Sequence, residues 1–184
     1  MTVTTVSDLV ELIERGGPVE FLFFYGHRPE PDGRPGRGCL SQWWPSAFTV
    51  DGLTFATAEH YMMWRKAMLF ADEQAAGQIL AAPDPAGAKA LGRKVRGFDQ
   101  AAWESRRFEF VVAGSVAKFG QHPGLREFLL ATGERVLVEA SPRDRVWGIG
   151  LSAGHERAAD PRQWRGLNLL GFALMRARAT LRDA

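Results

Sequence analysis

The sequence predicts an α+β fold: a predominantly helical single domain, residues 1–184, with a few short strands. Three observations predict it. Seven stretches read as helix and only four short runs as strand. The 184 residues fit one domain of ordinary size, long enough to bury about 70% of its unfolded surface without a disulfide or metal staple. Hydrophobic residues at 46% and charged residues at 24% sit near the globular average, which excludes wholesale disorder. No internal repeat, low-complexity segment or interdomain linker interrupts the chain.

The elements follow in order. Residues 6–14 read as a helix with Ser7 as its N-cap and Leu9, Val10 and Ile13 on one side. Residues 19–24 are aromatic-rich and strand-like behind Gly16-Gly17-Pro18. Residues 29–38, PEPDGRPGRG, exclude regular structure and read as a lid or an inserted surface loop. Asp51-Gly52 tolerates the positive φ angles of a type I′ turn, so residues 48–50 and 53–55 should pair as a hairpin. Residues 58–70 form a helix behind Thr57 as N-cap. Shorter helices follow at 73–80 and 86–95. A long one spans 100–119, its apolar face built from Trp103, Phe108, Val111, Val112, Ser115, Val116 and Phe119. Residues 124–132 are helical and 135–139 a strand. Residues 140–165 show no periodicity, which suggests a functional loop. A helix over 167–181 closes the chain, with Leu170, Leu174, Ala177 and Leu181 inward.

Charge decides little. Twenty-three Lys and Arg against 21 Asp and Glu leave a net +2. The locally basic stretches 28–37 and 93–107 are either solvated faces or attractors of a phosphorylated ligand or nucleic acid. The N-terminus has no basic n-region or apolar h-region, and no apolar run reaches membrane-spanning length, so a soluble cytoplasmic protein is expected. Cys39 stands alone, which excludes an internal disulfide and a Cys-based zinc site; it reads as a small buried or loop residue. The spacing of the four histidines points to no shared metal. Phosphate-loop, zincin, serine-elbow and EF-hand motifs are absent.

Two regions remain as carriers of chemistry. In the first, Glu59, Met62, Met63 and Lys66 share one face of a helix. A carboxylate and an ammonium then lie about 10 Å apart along it, a substrate-sized gap. The alternative is that Glu59 serves the helix dipole while Lys66 is solvated. In the second, Asp144, Trp147, Gly148 and Gly150 precede Trp164, Gly166, Asn168 and Gly171. Tryptophan beside paired glycines lets a flat ligand approach closely, with Asp144 acting on a sugar hydroxyl or a water. Alternatively, Trp147 and Trp164 are core anchors and the glycines mark tight turns.

The residues as a set resemble a known family. In order they are Phe24-Tyr25, LSQW at 40–43, FTVDGLTFATAEHYMMWRKA at 48–67, Gly92-Arg93, Trp103, Lys118-Phe119, ATGERVLVEASPRDRVWGIGL at 131–151 and WRGLNLLGFALMRAR at 164–178. Their combination over residues 20–180 resembles the YbiA-like N-glycosidases of the NADAR (NAD and ADP-ribose) superfamily. The resemblance implies a helical fold with few strands and a hydrolase acting on a ribosyl C1–N bond, with neither cofactor nor metal. YbiA-type members act on ribosylaminopyrimidine phosphates of the early riboflavin pathway and release ribose 5-phosphate. Other branches remove ADP-ribose from guanine in nucleic acid, and a non-catalytic module binding ADP-ribose or NAD is a third outcome. The expected partner is thus a small phosphorylated ribosyl substrate, with ADP-ribosylated nucleic acid as the alternative and no membrane.

The resemblance also implies roles. Glu59 and Asp144 match the catalytic carboxylates. Trp103 would lie beside the base. Asn168 matches the asparagine of the last motif. Lys66, Arg93 and Lys118 fall on basic positions suited to phosphate or ribose, and Tyr25, Trp147 and Gly148 complete the expected substrate contacts. Two departures stand out: the WGDG of YbiA-type members reads Trp147-Gly148-Ile149-Gly150 here, and residues 29–38 are inserted.

Overall fold

The computed structural model describes residues 3–184. Helices dominate, and four short strands form two separate two-stranded sheets. The chain forms two compact units. One runs to Ser41 and resumes at Glu127; the other spans Gln42–Arg126. Among the described residues no helix is long and apolar enough to cross a membrane.

The first unit opens with α1 (Val6–Glu14). Its cap is Thr5, not the expected Ser7: Thr5 Oγ1 accepts the Asp8 N–H while Asp8 Oδ2 accepts the Thr5 N–H, a reciprocal capping box. β1 (Phe21–Phe24) pairs in parallel with β4 (Val136–Glu139), Phe21 opposite Val136 and Phe24 opposite Glu139. Leu22, Phe24, Val136, Leu137 and Val138 are all buried in this core. α7 (Leu169–Arg182) packs against β4 and buries Leu170, Leu174, Ala177 and Leu181, the expected face. It starts two residues later than expected because Asn168 adopts the left-handed conformation, at φ 51°.

The irregular segment 29–38 is shorter than its composition suggested. A 3-10 turn, Arg37–Leu40, takes its last residues and buries Cys39 completely. Gly38 makes this turn possible, since a Cβ there would stand 2.2 Å from the Arg28 carbonyl oxygen.

In the second unit, β2 (Phe48–Val50) and β3 (Leu53–Phe55) pair antiparallel across Asp51 and Gly52, both at positive φ as the type I′ turn requires. Phe48 and Phe55 turn inward onto Tyr61 of α2 (Ala58–Leu69), with ring centroids 5.9 and 5.1 Å away. α3 (Glu73–Leu80), α4 (Pro85–Gly92) and α5 (Gln100–Gln121) complete this unit. α6 (Pro123–Ala131) crosses the boundary in sequence between the two. α4 ends three residues earlier than expected, at Gly92, where a Cβ would meet Met63 Sδ at 2.1 Å.

The junction between α2 and α3 is held by one carboxylate. Asp72 caps α3 through the Ala75 N–H and accepts three hydrogen bonds from Arg96, one from its backbone and two from its guanidinium. These bonds hold the Asp72 carboxyl well below the usual carboxylate range. A folded pKa below the unfolded one gives stability that is complete above the unfolded value, about 3.9, and is lost as pH falls through that value toward the folded one. Melting temperature should therefore drop on acidification from pH 5 to pH 2, and Asp72→Asn should flatten part of that drop. A variant melting with the wild-type acid slope would show that other carboxylates carry it.

Candidate active site

The second unit presents the first candidate region on α2. Thr57 caps this helix, its Oγ1 accepting the His60 N–H and pairing with His60 Nδ1 at 2.8 Å. His60 Nε2 lies 3.1 Å from the Ala82 carbonyl oxygen, which only accepts. Nε2 therefore donates to that carbonyl, while Nδ1 pairs with the threonine hydroxyl. The buried imidazole fastens the start of α2 to the residue that follows α3 and its cap; it is a structural strut.

Glu59 sits at the second position of α2, 3% exposed, with its backbone N–H bonded to the Gln42 carbonyl oxygen. Its carboxylate lies in the first turn of the helix, at the positive end of the macrodipole. Lys66 lies two turns on. Its Nζ stands 4.2 Å from the centroid of Phe98 and 5.7 Å from that of Trp103. Burial holds the Lys66 ammonium below the ordinary lysine range, and no carboxylate among the described residues pairs with it. Two aromatic rings thus lie beside the ammonium and attract it through their π faces.

The other expected basic positions differ from each other. Arg93 is the exposed C-cap of α4. Lys118, at 1% exposure, lies inside the unit instead of at a surface open to phosphate. Trp103 is 8% exposed and tilts against Phe110 at 6.2 Å, so it is largely a wall, with little free face. Nothing in the sequence pattern signalled Phe98, which is 42% exposed and rests on Lys66.

In the first unit, two segments run side by side. The N–H groups of Leu167, Asn168, Leu169 and Leu170 bond to the carbonyls of Arg145, Gly148, Val146 and Trp147. Residues 140–165 are therefore pinned along much of their length. Asp144 organises the turn, its Oδ1 accepting the N–H groups of Val146 and Trp147 at 2.8 Å each. Its Oδ2 makes no hydrogen bond among the described residues. Gly148 is buried, and a Cβ on it would stand 2.8 Å from the Glu139 carbonyl oxygen. Ile149, in the position where YbiA-type sequences carry an acid, is fully buried. Trp147 is half-buried and Tyr25, just past β1, is 63% exposed. Trp164 packs tilted against Phe21, ring centroids 5.9 Å apart, and donates its indole N–H to the Ala158 carbonyl, which makes it an anchor.

Asn168 is wholly enclosed. Its Oδ1 accepts the Glu139 N–H at 2.9 Å and its Nδ2 donates to the Leu137 carbonyl at 2.9 Å. The side chain thereby extends the β4 edge as a further strand would. Gly166 and Gly171 allow the approach: a Cβ at either would stand 2.3 Å from the Gly148 oxygen or 2.0 Å from the Leu137 oxygen. The G-x-N-x-L-G motif is thus a packing device for the Asp144 turn, β4 and α7.

Comparison with known proteins identifies the family. The NADAR domain model matches residues 23–182. N-glycosidase R617 of Acanthamoeba polyphaga mimivirus is 39% identical over 164 residues, covering 86% of this chain and 95% of its own length. N-glycosidase YbiA of Escherichia coli is 36% identical, covering 75% of this chain and 76% of its own length. The riboflavin biosynthesis protein VVA0006 of Vibrio vulnificus is 33% identical across 88% of this chain, which spans 39% of that protein. The NMR structure of E. coli YbiA superposes with a TM-score of 0.67 at 30% identity, covering 90% of this chain and 88% of that one. The chain belongs to the NADAR domain family as a YbiA-like N-glycosidase, a hydrolase of N-glycosidic bonds.

Proposed function

We propose that the substrate is a small phosphorylated ribosyl compound, of the ribosylaminopyrimidine phosphate class, and that hydrolysis of its C1–N bond releases ribose 5-phosphate. The observation that carries this is on α2: a buried, helix-favoured carboxylate at Glu59 and, two turns away, an ammonium at Lys66 without a carboxylate partner. The separation of about 10 Å along the helix suits a ribose carbon at one end and a phosphate at the other.

Cleavage builds positive charge on C1 and the ring oxygen. Water supplies a hydroxyl to C1 and a proton to the departing nitrogen. Glu59 acts on that step, by stabilising the oxocarbenium-like state or by taking the proton of the attacking water. Lys66 receives the phosphate, with Arg93 as a further basic group, and Trp103 borders the base. Within the first unit, Asp144 keeps one oxygen beyond its turn, which the family resemblance assigns to the ribose hydroxyls, as it assigns substrate contacts to Tyr25, Trp147 and Gly148; Asn168 positions the Asp144 turn.

The test incubates the pure protein with ribosylaminopyrimidine phosphates, NAD, ADP-ribose and ADP-ribosylated DNA and reads products by mass spectrometry. Ribose 5-phosphate from the first substrate alone supports the proposal; product from the DNA alone overturns it. Salt gives a second readout, because a polymer releases many counterions on binding and a monophosphate few.

Substitutions at two positions follow. Lys66→Met should raise KM about 10- to 100-fold with a smaller change in kcat, since a charge-assisted phosphate contact is lost from ground and transition state alike. A change confined to kcat would remove Lys66 from phosphate binding. Asp144→Asn keeps an acceptor for the Val146 and Trp147 N–H groups, so it should fold normally and lose activity. Asp144→Ala should in addition loosen the turn, seen as faster amide exchange at those two residues; equal exchange in both variants would refute the organising role.

A further inference from the structure

We propose that the first unit carries a second binding site, for an oxyanion attached to a small apolar body, in a cavity bordered by α1, the segment before β1, the start of β4 and α7. The cavity measures about 370 Å³. Leu12, Val19 and Met175 give it an apolar wall, while Arg178, Arg182 and Glu134 give it a charged one. All of these residues belong to one unit and none to the α2 region.

Arg178 is the reason to expect a ligand. It is 5% exposed, and its Nη1 donates to Thr132 Oγ1 at 2.7 Å and to the Arg135 carbonyl oxygen at 3.0 Å. A guanidinium has five N–H donors, and these two bonds use one nitrogen. Nε and Nη2 have no partner among the described residues, and neither is sealed off in the core, so a ligand in the cavity can meet them. Burial lowers the Arg178 pKa, with Arg182 and Arg135 adding repulsion that Glu134 opposes.

Glu134 supplies the one carboxylate in the cavity lining, and it is already engaged by Arg182. Its side chain is 83% exposed, so the contact lies at the rim. Glu134 therefore behaves as an internal competitor: an incoming oxyanion takes over the Arg182 fork and meets Arg178 behind it. A planar guanidinium suits both carboxylate and phosphate, so the oxyanion chemistry is common to two ligand sources.

The probes are phenyl phosphate, benzoate and inorganic phosphate, titrated into the full chain and followed by amide chemical shifts. The expected result is saturable shifts at Val136 and Ala179 with phenyl phosphate or benzoate, and weaker ones with inorganic phosphate, which lacks the apolar body. Whichever aromatic anion binds more tightly identifies the oxyanion. Glu134→Gln should tighten binding roughly 3- to 10-fold by removing the competitor. Arg182→Ala, at a half-exposed position, should weaken it about tenfold. Ala179→Phe should fill the cavity and abolish the shifts while N-glycoside turnover stays at the wild-type level. The proposal is overturned by shifts confined to the region of Glu59 and Lys66, by equal affinity in the Glu134 and Arg182 variants, or by inorganic phosphate binding as well as phenyl phosphate. Failure here leaves the proposed substrate untouched, since the two sites are read by different amides.

Discussion

Glu59→Gln gives a folded protein whose N-glycosidase turnover falls by about 10³-fold or more. Glutamine preserves the shape of the side chain and removes its charge. Any carboxylate stabilisation of the developing ribosyl cation then disappears, together with any ability to accept the water proton. Loss of one preorganised electrostatic group typically costs 10²–10³ in rate, and loss of proton transfer adds to it. The position makes the effect specific. Glu59 is 3% exposed and lies in the first turn of α2, so bulk water screens it weakly and the helix terminus stabilises its anion. Steady-state kinetics with ribose 5-phosphate as product, alongside a thermal melt, check the outcome. A decrease in kcat with little change in KM places the missing interaction in the transition state. Wild-type turnover in a folded variant would sink the assignment.

Much of the second unit was legible because its signals are local. Asp51-Gly52 dictates its hairpin through two positive φ angles, and Thr57 dictates the start of α2 through one capping hydroxyl. Long-range pairing leaves no such mark. Nothing around residues 19–24 says that their partner is the strand at Val136–Glu139, since parallel strands need no connecting turn. Periodicity also failed where polar residues are buried. Arg107 and Lys118 lie inside on α5, yet a hydrophobic pattern assigns them to solvent, while Phe108 and Val116 are only half-buried. The candidate residues were nameable because their motifs are distinctive. Their surroundings were not: the rings around Lys66 and the backbone partners of Asn168 come from segments distant in sequence.

Asn168→Ala should cost about 3–7 kcal/mol of folding stability, a large share of the roughly 5–15 kcal/mol that a domain possesses. Three losses add. The Glu139 N–H and the Leu137 carbonyl each lose a buried partner, at about 1–3 kcal/mol apiece. Alanine in the left-handed conformation adds about 1 kcal/mol or more. Companion substitutions separate these contributions. Asn168→Gly relieves the backbone strain but still orphans both β4 groups, so it should recover only the smallest part. Asn168→Asp keeps an acceptor for the Glu139 N–H but sets a carboxylate oxygen against the Leu137 carbonyl, so it should be at least as damaging as alanine near neutral pH. Urea unfolding of the set, read by tryptophan fluorescence and far-ultraviolet dichroism, gives the order glycine, then alanine and aspartate. A side chain whose main role is to touch substrate predicts the opposite pattern: near-wild-type stability in all three variants and a rise in KM. That pattern would remove Asn168 from the framework of β4 and α7.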